Sequence, residues 1–218
     1  MERFLMSNLA RQHTHNVSKF DEEVLVVPRN ALFEGTSLHA LLQGVVHDNI
    51  EKYRSIIESE GVFLRRGEME QDENYKQIIP YLVFTYKGNL FLMQRSAQAS
   101  EARLACKYTL GIGGHINRQD LEGTTIEKWG MREFNEEVEY SGKLSISPIG
   151  IINDDTTSVG RVHLGLVFLL HGDSADISIR SELDNGQLLS IEECERYYDK
   201  METWSQLVFD VLRTVRYP

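Results

Sequence analysis

Apolar and polar positions alternate most clearly in the second half of the chain, where they predict a β-sheet. Gln77–Tyr86 and Leu90–Arg95 are rich in β-branched and aromatic residues, and turn-forming residues separate them, so the two segments predict a hairpin. Shorter stretches of the same kind predict further strands at Glu23–Val27, Val62–Arg65, Tyr108–Ile116, Leu144–Asn153, Val159–Leu170 and Ile177–Ile179.

Helical spacing of apolar residues appears in four parts of the chain. The segment from Leu32 to about Gly61 predicts one or two helices, broken near Gly35 and Gly44, and Ser190 begins another with a capping pattern. Thr124–Val138 and Glu202–Val215 each present an apolar stripe at helical spacing. Strands around a central helix, with more helix at the end, predict an α/β fold: an α/β/α sandwich on a mixed β-sheet.

The chain divides into two parts at an acidic stretch, Gly67–Asn74. Residues 75–218 form the predicted domain, and residues 1–74 form an N-terminal α/β extension. This extension carries many apolar residues, unlike a disordered tail, and we expect it to pack on the core.

Charge and composition narrow the range of partners. The net charge is −10 over 218 residues, which argues against long nucleic acid and anionic membranes. A small phosphorylated ligand remains compatible, because a bound metal reverses the charge locally. Cys106 and Cys194 are the two cysteines; they, the lack of a signal-peptide pattern and the lack of a long apolar run predict a cytoplasmic protein. A homodimer is left open.

Three carboxylates share one face of the predicted central helix. Glu133, Glu136 and Glu137 stand at i, i+3 and i+4, where like charges repel each other. A hard divalent cation turns that repulsion into attraction, since Mg²⁺ takes oxygen ligands from carboxylates and phosphates. Arg132 beside them is a natural partner to hold one carboxylate in place.

This segment, with Gly113-Gly114 upstream, resembles the Nudix box. Arg132, Glu133, Phe134, Glu136 and Glu137 fall on its pattern, but four extra residues separate Gly114 from the arginine. Thr124 stands where the pattern has a loop glutamate, and Glu139 stands where it has the closing glycine. Glu122 and Glu127 are acidic neighbours of position 124, although neither is in register.

The resemblance implies a Nudix fold and a metal-dependent hydrolase acting on a nucleoside diphosphate linked to another moiety. It implies Mg²⁺ (or Mn²⁺) held by Glu133, Glu136, Glu137 and the backbone carbonyl of Gly113. Glu133 would also take a proton from water, and Arg132 would orient a glutamate.

Outside the motif the sequence offers candidates. Glu182 is the preferred replacement for the missing loop acid and Glu122 the second choice, whereas Asp154, Asp155 and Asp184 are weaker ones. The candidate phosphate contacts are Arg95, Lys107, Arg161 and His163. His115, a lone histidine after the double glycine, is interpreted as structural.

Two other functions remain open. One is a Nudix domain that binds a nucleotide-like ligand as a regulator with little or no catalysis, which the missing loop glutamate favours. The other, less favoured, is an isopentenyl-diphosphate isomerase-like activity, which needs a Cys–Glu pair and additional metal-binding histidines. The substrate cannot be read from the sequence.

Overall fold

A ten-stranded mixed sheet forms the centre of the protein in the computed structural model, which describes residues 19–96, 105–121, 125–180 and 183–214. Its strands are β1 (Glu23–Pro28), β2 (Gln43–Val46), β3 (Val62–Arg65), β4 (Tyr75–Tyr86), β5 (Asn89–Arg95), β6 (Tyr108–Thr109), β7 (Gly111–Gly113), β9 (Leu144–Asp154), β10 (His163–Gly172) and β12 (Leu183–Leu189). Two short strands, β8 (Val138–Tyr140) and β11 (Ile177–Ile179), pair separately. The main strand order is β12-β5-β4-β10-β9-β2.

Strand β4 is the centre of this sheet. It runs parallel to β10 and antiparallel to β1, β5 and β7. Its pairing with β1 ends at Gln77, and its pairing with β7 begins at Tyr81. Pro80 lies in the interval between them. A proline has no N–H to contribute to a ladder, and it is accommodated where pairing on one side is interrupted.

Helices cover both faces of the sheet. They are α1 (Arg29–Phe33), α2 (Ile50–Glu60), α3 (Arg66–Met69), α4 (Ile126–Glu137), α5 (Ser158–Val162), α6 (Ile191–Glu195) and α7 (Thr203–Thr214). Tyr53 of α2 and Trp129 of α4 pack with Ile78, whereas Val208 of α7 packs with Tyr81. Because alternate residues of β4 point to opposite faces, the two helix layers are separated by the sheet. The predicted α/β/α sandwich on a mixed sheet is confirmed.

The predicted hairpin, the capped helix and the central helix are also present. Lys87 and Gly88 connect β4 to β5, and both have positive φ angles, as expected for a two-residue hairpin turn. Ser190 caps α6 through a full capping box with Glu193. In α4 the side chain of Thr125 accepts a hydrogen bond from the backbone N–H of Lys128, which begins the helix at Ile126.

The helical interpretation of Leu32–Gly61 is wrong in its middle part. Gln43–Val46 forms β2 at the sheet edge, where Val45 and Val46 lie opposite Ile152 and Ile151 of β9. Four residues are too few to show a strand period, and the partner lies more than a hundred residues away, so only tertiary pairing decides this element.

Further boundaries differ from the sequence prediction. The strand expected over Tyr108–Ile116 forms as two short strands, β6 and β7, and ends at Gly113. The strand expected from Val159 begins at His163, because Thr157 accepts a hydrogen bond from the Gly160 N–H and begins α5 instead. Residues 183–186, which the sequence favours as a turn after Glu182, are part of β12 instead. The pairing of β12 with β5 shifts register between Leu183 and Gly186. Glycine fits such an irregularity in a strand.

The described part of residues 1–74 contributes strands to the sheet. Strand β1 pairs with β4, β2 pairs with β9, and the backbone N–H of Leu25 donates to the carbonyl of Ile116 over 2.8 Å. The division of the chain at residue 74 stays a prediction. None of the helices in the described ranges is both long enough and apolar enough to cross a membrane.

Helix α4 approaches the sheet closely at Gly130. A Cβ atom built there would lie 3.1 Å from a methyl carbon of Leu82. We expect Gly130→Val to lower the free energy of unfolding by about 1–3 kcal/mol, because the added methyl groups overpack this contact. Lys128→Val, at an exposed position of the same helix, is the matched control for valine in a helix. Denaturant unfolding measures both, and equal stability of the two variants would contradict the close approach.

Candidate active site

The glycine turn after β7 lies directly against α4. A Cβ atom built on Gly114 would lie 3.1 Å from Oε2 of Glu133 and 3.4 Å from the Trp129 ring. One built on Gly113 would lie 2.5 Å from the carbonyl oxygen of Pro80. Glycines therefore allow two close approaches at once, one to β4 and one to a carboxylate of the helix.

Arg132 connects the carboxylates of this region. Its Nη1 donates to Oε1 of Glu136 over 2.7 Å, and its Nη2 donates to Oε1 of Glu133 over 3.2 Å. Nη2 also donates to Oδ1 of Asp120 over 2.9 Å. Arg132 thus contacts two of the glutamates, and its role in orienting them stays a prediction. Asp120 is an acidic residue that the sequence interpretation missed.

Asp120 lies in the loop that carries the four extra residues. It belongs to a short 3-10 helix, Arg118–Leu121, and its Oδ2 accepts a hydrogen bond from the backbone N–H of Asn117 over 2.8 Å. The carboxylate is only 17% exposed. The sequence feature that could have indicated Asp120 is an acidic residue inside the insertion. Its separation from Arg132 along the chain gave no reason to pair the two residues, because they do not belong to one helix.

The other candidates for the loop acid are placed differently. Glu127 pairs with Arg54 of α2, so its carboxylate is engaged on another side of the helix. Glu122 and Glu182 lie outside the described residues. Asp184 is exposed on β12.

Asp155 belongs to a buried ion-pair network. Arg29 donates to it, and the Nζ of Lys76 lies 2.7 Å from Oδ1. Burial acts to raise the pKa of Asp155, but the hydrogen bonds from Arg29 and Lys76 hold that pKa below its ordinary value. Burial lowers the pKa of Lys76 to about 8. Asp154 is also buried, and it accepts hydrogen bonds from Gln43 and Thr156.

The metal-binding candidates differ in exposure. Glu136 is exposed, whereas Glu133 and Glu137 are half-buried. Arg95 interacts electrostatically with Glu137 and forms an ion pair with Glu202. Burial acts to lower the pKa of Arg95, and the attraction of Glu202 outweighs it and raises that pKa.

The remaining phosphate-contact candidates lie in separate places. Lys107 is exposed, and its carbonyl accepts the backbone N–H of Arg95 over 2.9 Å. Arg161 of α5 donates to Glu73 over 2.6 Å. His163 begins β10, and its Nε2 lies 3.1 Å from Nε2 of His115. His115 is thus not a lone histidine, and burial lowers the pKa of His163.

The region around Arg132 has the donor chemistry that a hard cation requires. Carboxylate oxygens of Asp120, Glu133 and Glu136 contact a single guanidinium, that of Arg132. Glu137 is the residue that follows Glu136 in α4. Oxygen donors of this kind fit Mg²⁺ or Mn²⁺ rather than a soft metal. Glu133, Glu136 and Glu137 stay the predicted ligands of such an ion.

Comparison with known proteins agrees with this fold. The chain is 34% identical over 208 residues to the protein YmaB of Bacillus subtilis (strain 168), covering 90% of this chain and all of that protein. No family model matches the sequence.

Solved structures give the family. The crystal structure of Tm1382, provisionally assigned as a Nudix hydrolase, matches with 32% identity and a TM-score of 0.73 over 88% of this chain and 99% of that one. The chain belongs to the Nudix hydrolase superfamily. The Nudix domain of Shewanella oneidensis NrtR, crystallised with ADP ribose, matches with 11% identity and a TM-score of 0.50 over 64% of this chain and 89% of that one, which shows the fold alone.

Asp120 should matter for metal binding if it holds Arg132 in place. We expect Asp120→Asn to weaken Mn²⁺ binding by about tenfold or more, because a lost charge-assisted partner leaves the orienting side chain loose. Mn²⁺ titration followed by electron paramagnetic resonance measures this. Asp199→Asn removes the same charge from an exposed position and serves as the control. An unchanged Kd in Asp120→Asn would mean that Asp120 has no such role.

Proposed function

We propose that the protein is a metal-dependent hydrolase that cleaves the pyrophosphate bond of a nucleoside diphosphate linked to another moiety. The observation that carries this proposal is the contact of Arg132 with Glu133 and Glu136 beside the glycine turn. Membership of the Nudix hydrolases supports the reaction class. The retained carboxylates distinguish the chain from a scaffold that has lost its catalytic groups.

The charges of the site suit a polyanionic substrate only together with a cation. Three carboxylates, those of Asp120, Glu133 and Glu136, lie against the single guanidinium of Arg132. Bound Mg²⁺ or Mn²⁺ would screen the phosphates, orient them and make water more acidic. We assign Glu133, Glu136, Glu137 and the carbonyl of Gly113 to hold it.

The side chains of the site have two proposed roles, which are to hold the glutamates in place and to accept a proton. Arg132 restrains Glu133 and Glu136 through charge-assisted hydrogen bonds, and Asp120 restrains Arg132. Glu133 is half-buried against Gly114, so its carboxylate has little freedom to turn away. We assign it to accept a proton from the attacking water, which requires a carboxylate held within hydrogen-bonding reach.

The other functional assignments stay predictions. These are phosphate contacts by Arg95, Lys107, Arg161 and His163, a catalytic role for Glu182, a small nucleotide-derived substrate, a homodimer and a cytoplasmic location. We also propose residues 1–74 as an extension on the domain of residues 75–218, supported by the pairing of β1 with β4 and of β2 with β9.

A regulatory binding module is the second candidate function. The absent loop glutamate at Thr124 favours it, but Asp120 offers a carboxylate to Arg132 from the same loop. An isomerase-like activity is less well supported. Cys194 is buried, and burial raises the pKa of its thiol to about 12, while Cys106 is exposed.

Hydrolysis in the presence of Mg²⁺ tests the proposal. On a panel of nucleotide sugars, dinucleoside polyphosphates and ADP ribose, we expect wild-type turnover on at least one compound. Glu136→Gln and Glu137→Gln should each lower kcat by about a hundredfold or more, because each removes a charged oxygen ligand. Their thermal unfolding should stay near that of the wild type.

Glu139→Gln is the matched control, since Glu139 is exposed just beyond the helix. It should retain wild-type kcat. Full turnover in Glu136→Gln and Glu137→Gln would overturn the assignment of these residues. No wild-type turnover on the whole panel, together with tight nucleotide binding, would favour the binding module.

A further inference from the structure

We propose that Glu70, His115 and His163 form a second metal site, one that binds a divalent transition-metal cation of the Zn²⁺ class. One ligand atom of each residue lies within 4.8 Å of the other two. The three residues come from the end of α3, the glycine turn and the start of β10, so the fold brings together parts of the chain that are far apart in sequence. This proposal does not depend on the hydrolase activity.

The two imidazoles already have the spacing of metal ligands. Their Nε2 atoms are 3.1 Å apart, and their rings are inclined at 72°. Two nitrogens bound to one tetrahedral Zn²⁺ at about 2.0–2.1 Å lie roughly 3.3 Å from each other. The two rings would therefore need to move only slightly for both Nε2 atoms to bind one cation.

The hydrogen bonding of His163 leaves the required lone pair. Its Nδ1 lies 2.8 Å from the carbonyl oxygen of Val159. A carbonyl oxygen only accepts, so Nδ1 carries the proton and Nε2 presents its lone pair towards His115. Metal-binding histidines characteristically donate their other N–H to a carbonyl in this way. His163 is only 6% exposed, which fixes its ring.

Glu70 supplies the negative charge of the site. It is half-buried, and the Nε of Arg66 lies 3.3 Å from its Oε1, which restrains the carboxylate. The two neutral imidazoles donate lone pairs without adding charge, and the one carboxylate compensates half of the charge of a divalent cation. This donor set suits Zn²⁺ and similar ions, whereas the carboxylate cluster on α4 suits Mg²⁺.

A buried amide beside the histidines is a second, independent observation. Gln77 is fully buried and lies opposite His163 in the parallel pairing of β4 with β10, so both side chains are on the same face. Neither Nε2 nor Oε1 of Gln77 has a hydrogen-bond partner within the described part of the chain. A buried polar group in that state calls for an explanation. A hydrated cation next to it would provide partners for the amide.

Binding of Zn²⁺ alone tests the proposal. The full-length protein is stripped with a chelator and titrated with Zn²⁺ by calorimetry in excess Mg²⁺, which occupies hard oxygen sites. We expect one Zn²⁺ per chain and a higher Tm with Zn²⁺, since a ligand that binds only the folded state stabilises it. Co²⁺ in place of Zn²⁺ should give the intense visible absorption of a low-coordinate, nitrogen-containing site.

The variants identify the ligands. His115→Gln, at a half-buried position, and His163→Gln should each weaken Zn²⁺ binding by at least about tenfold and remove the Co²⁺ absorption. His39→Gln, at an exposed position, should bind as the wild type does. The double variant Glu136→Gln/Glu137→Gln should also keep the site. Circular dichroism of the metal-free proteins checks folding.

Three results would each overturn the proposal. One is the absence of Zn²⁺ binding to the wild type in excess Mg²⁺. Another is wild-type affinity in a folded His115→Gln. The third is loss of Zn²⁺ binding in Glu136→Gln/Glu137→Gln but not in His115→Gln, which would place the ion on α4.

Discussion

Negative charge concentrated on one face of a helix is the constraint around which this site is built. Glu133, Glu136 and Glu137 would repel one another on an isolated helix. Arg132 offsets part of that repulsion by contacting two of them, and Asp120 restrains the guanidinium from outside the helix. The negative charge that remains on this face is the physical basis of the metal binding that we propose. The instability of the bare arrangement and its proposed function therefore have the same physical origin.

The turn opposite α4 can approach the carboxylates of this helix closely because its two glycines have no side chains. Gly113 lies against the backbone of Pro80, and Gly114 lies against the side chain of Glu133. A side chain at either glycine would clash with these neighbours. The pairing of β4 is interrupted between Gln77 and Tyr81. The chain after Gly113 leaves the sheet beside this interruption. The neighbouring His115 then lies beside His163. A single turn thus borders the two groups of side chains that we propose as metal ligands, which differ in chemistry.

The local sequence was sufficient to predict the elements that depend on neighbouring residues alone. The hairpin between β4 and β5 follows from a two-residue turn between apolar strands, and α4 follows from its apolar stripe and its cap at Thr125. The spacing of the carboxylates on α4 is likewise a property of the helix, because residues four apart share a face whatever surrounds them. The family resemblance and the fold class rested on these features.

Contacts between distant segments decided the rest. Strand β2 forms because β9 offers an edge more than a hundred residues later in the chain, and no four-residue period could show that. Asp120 reaches Arg132 through the shape of an inserted loop, and His115, in the turn after β7, meets His163 at the start of β10. Sequence determined which groups lie on each element, since periodicity is local. Only the tertiary structure determined which of those groups meet, because packing brings together residues that no spacing relates.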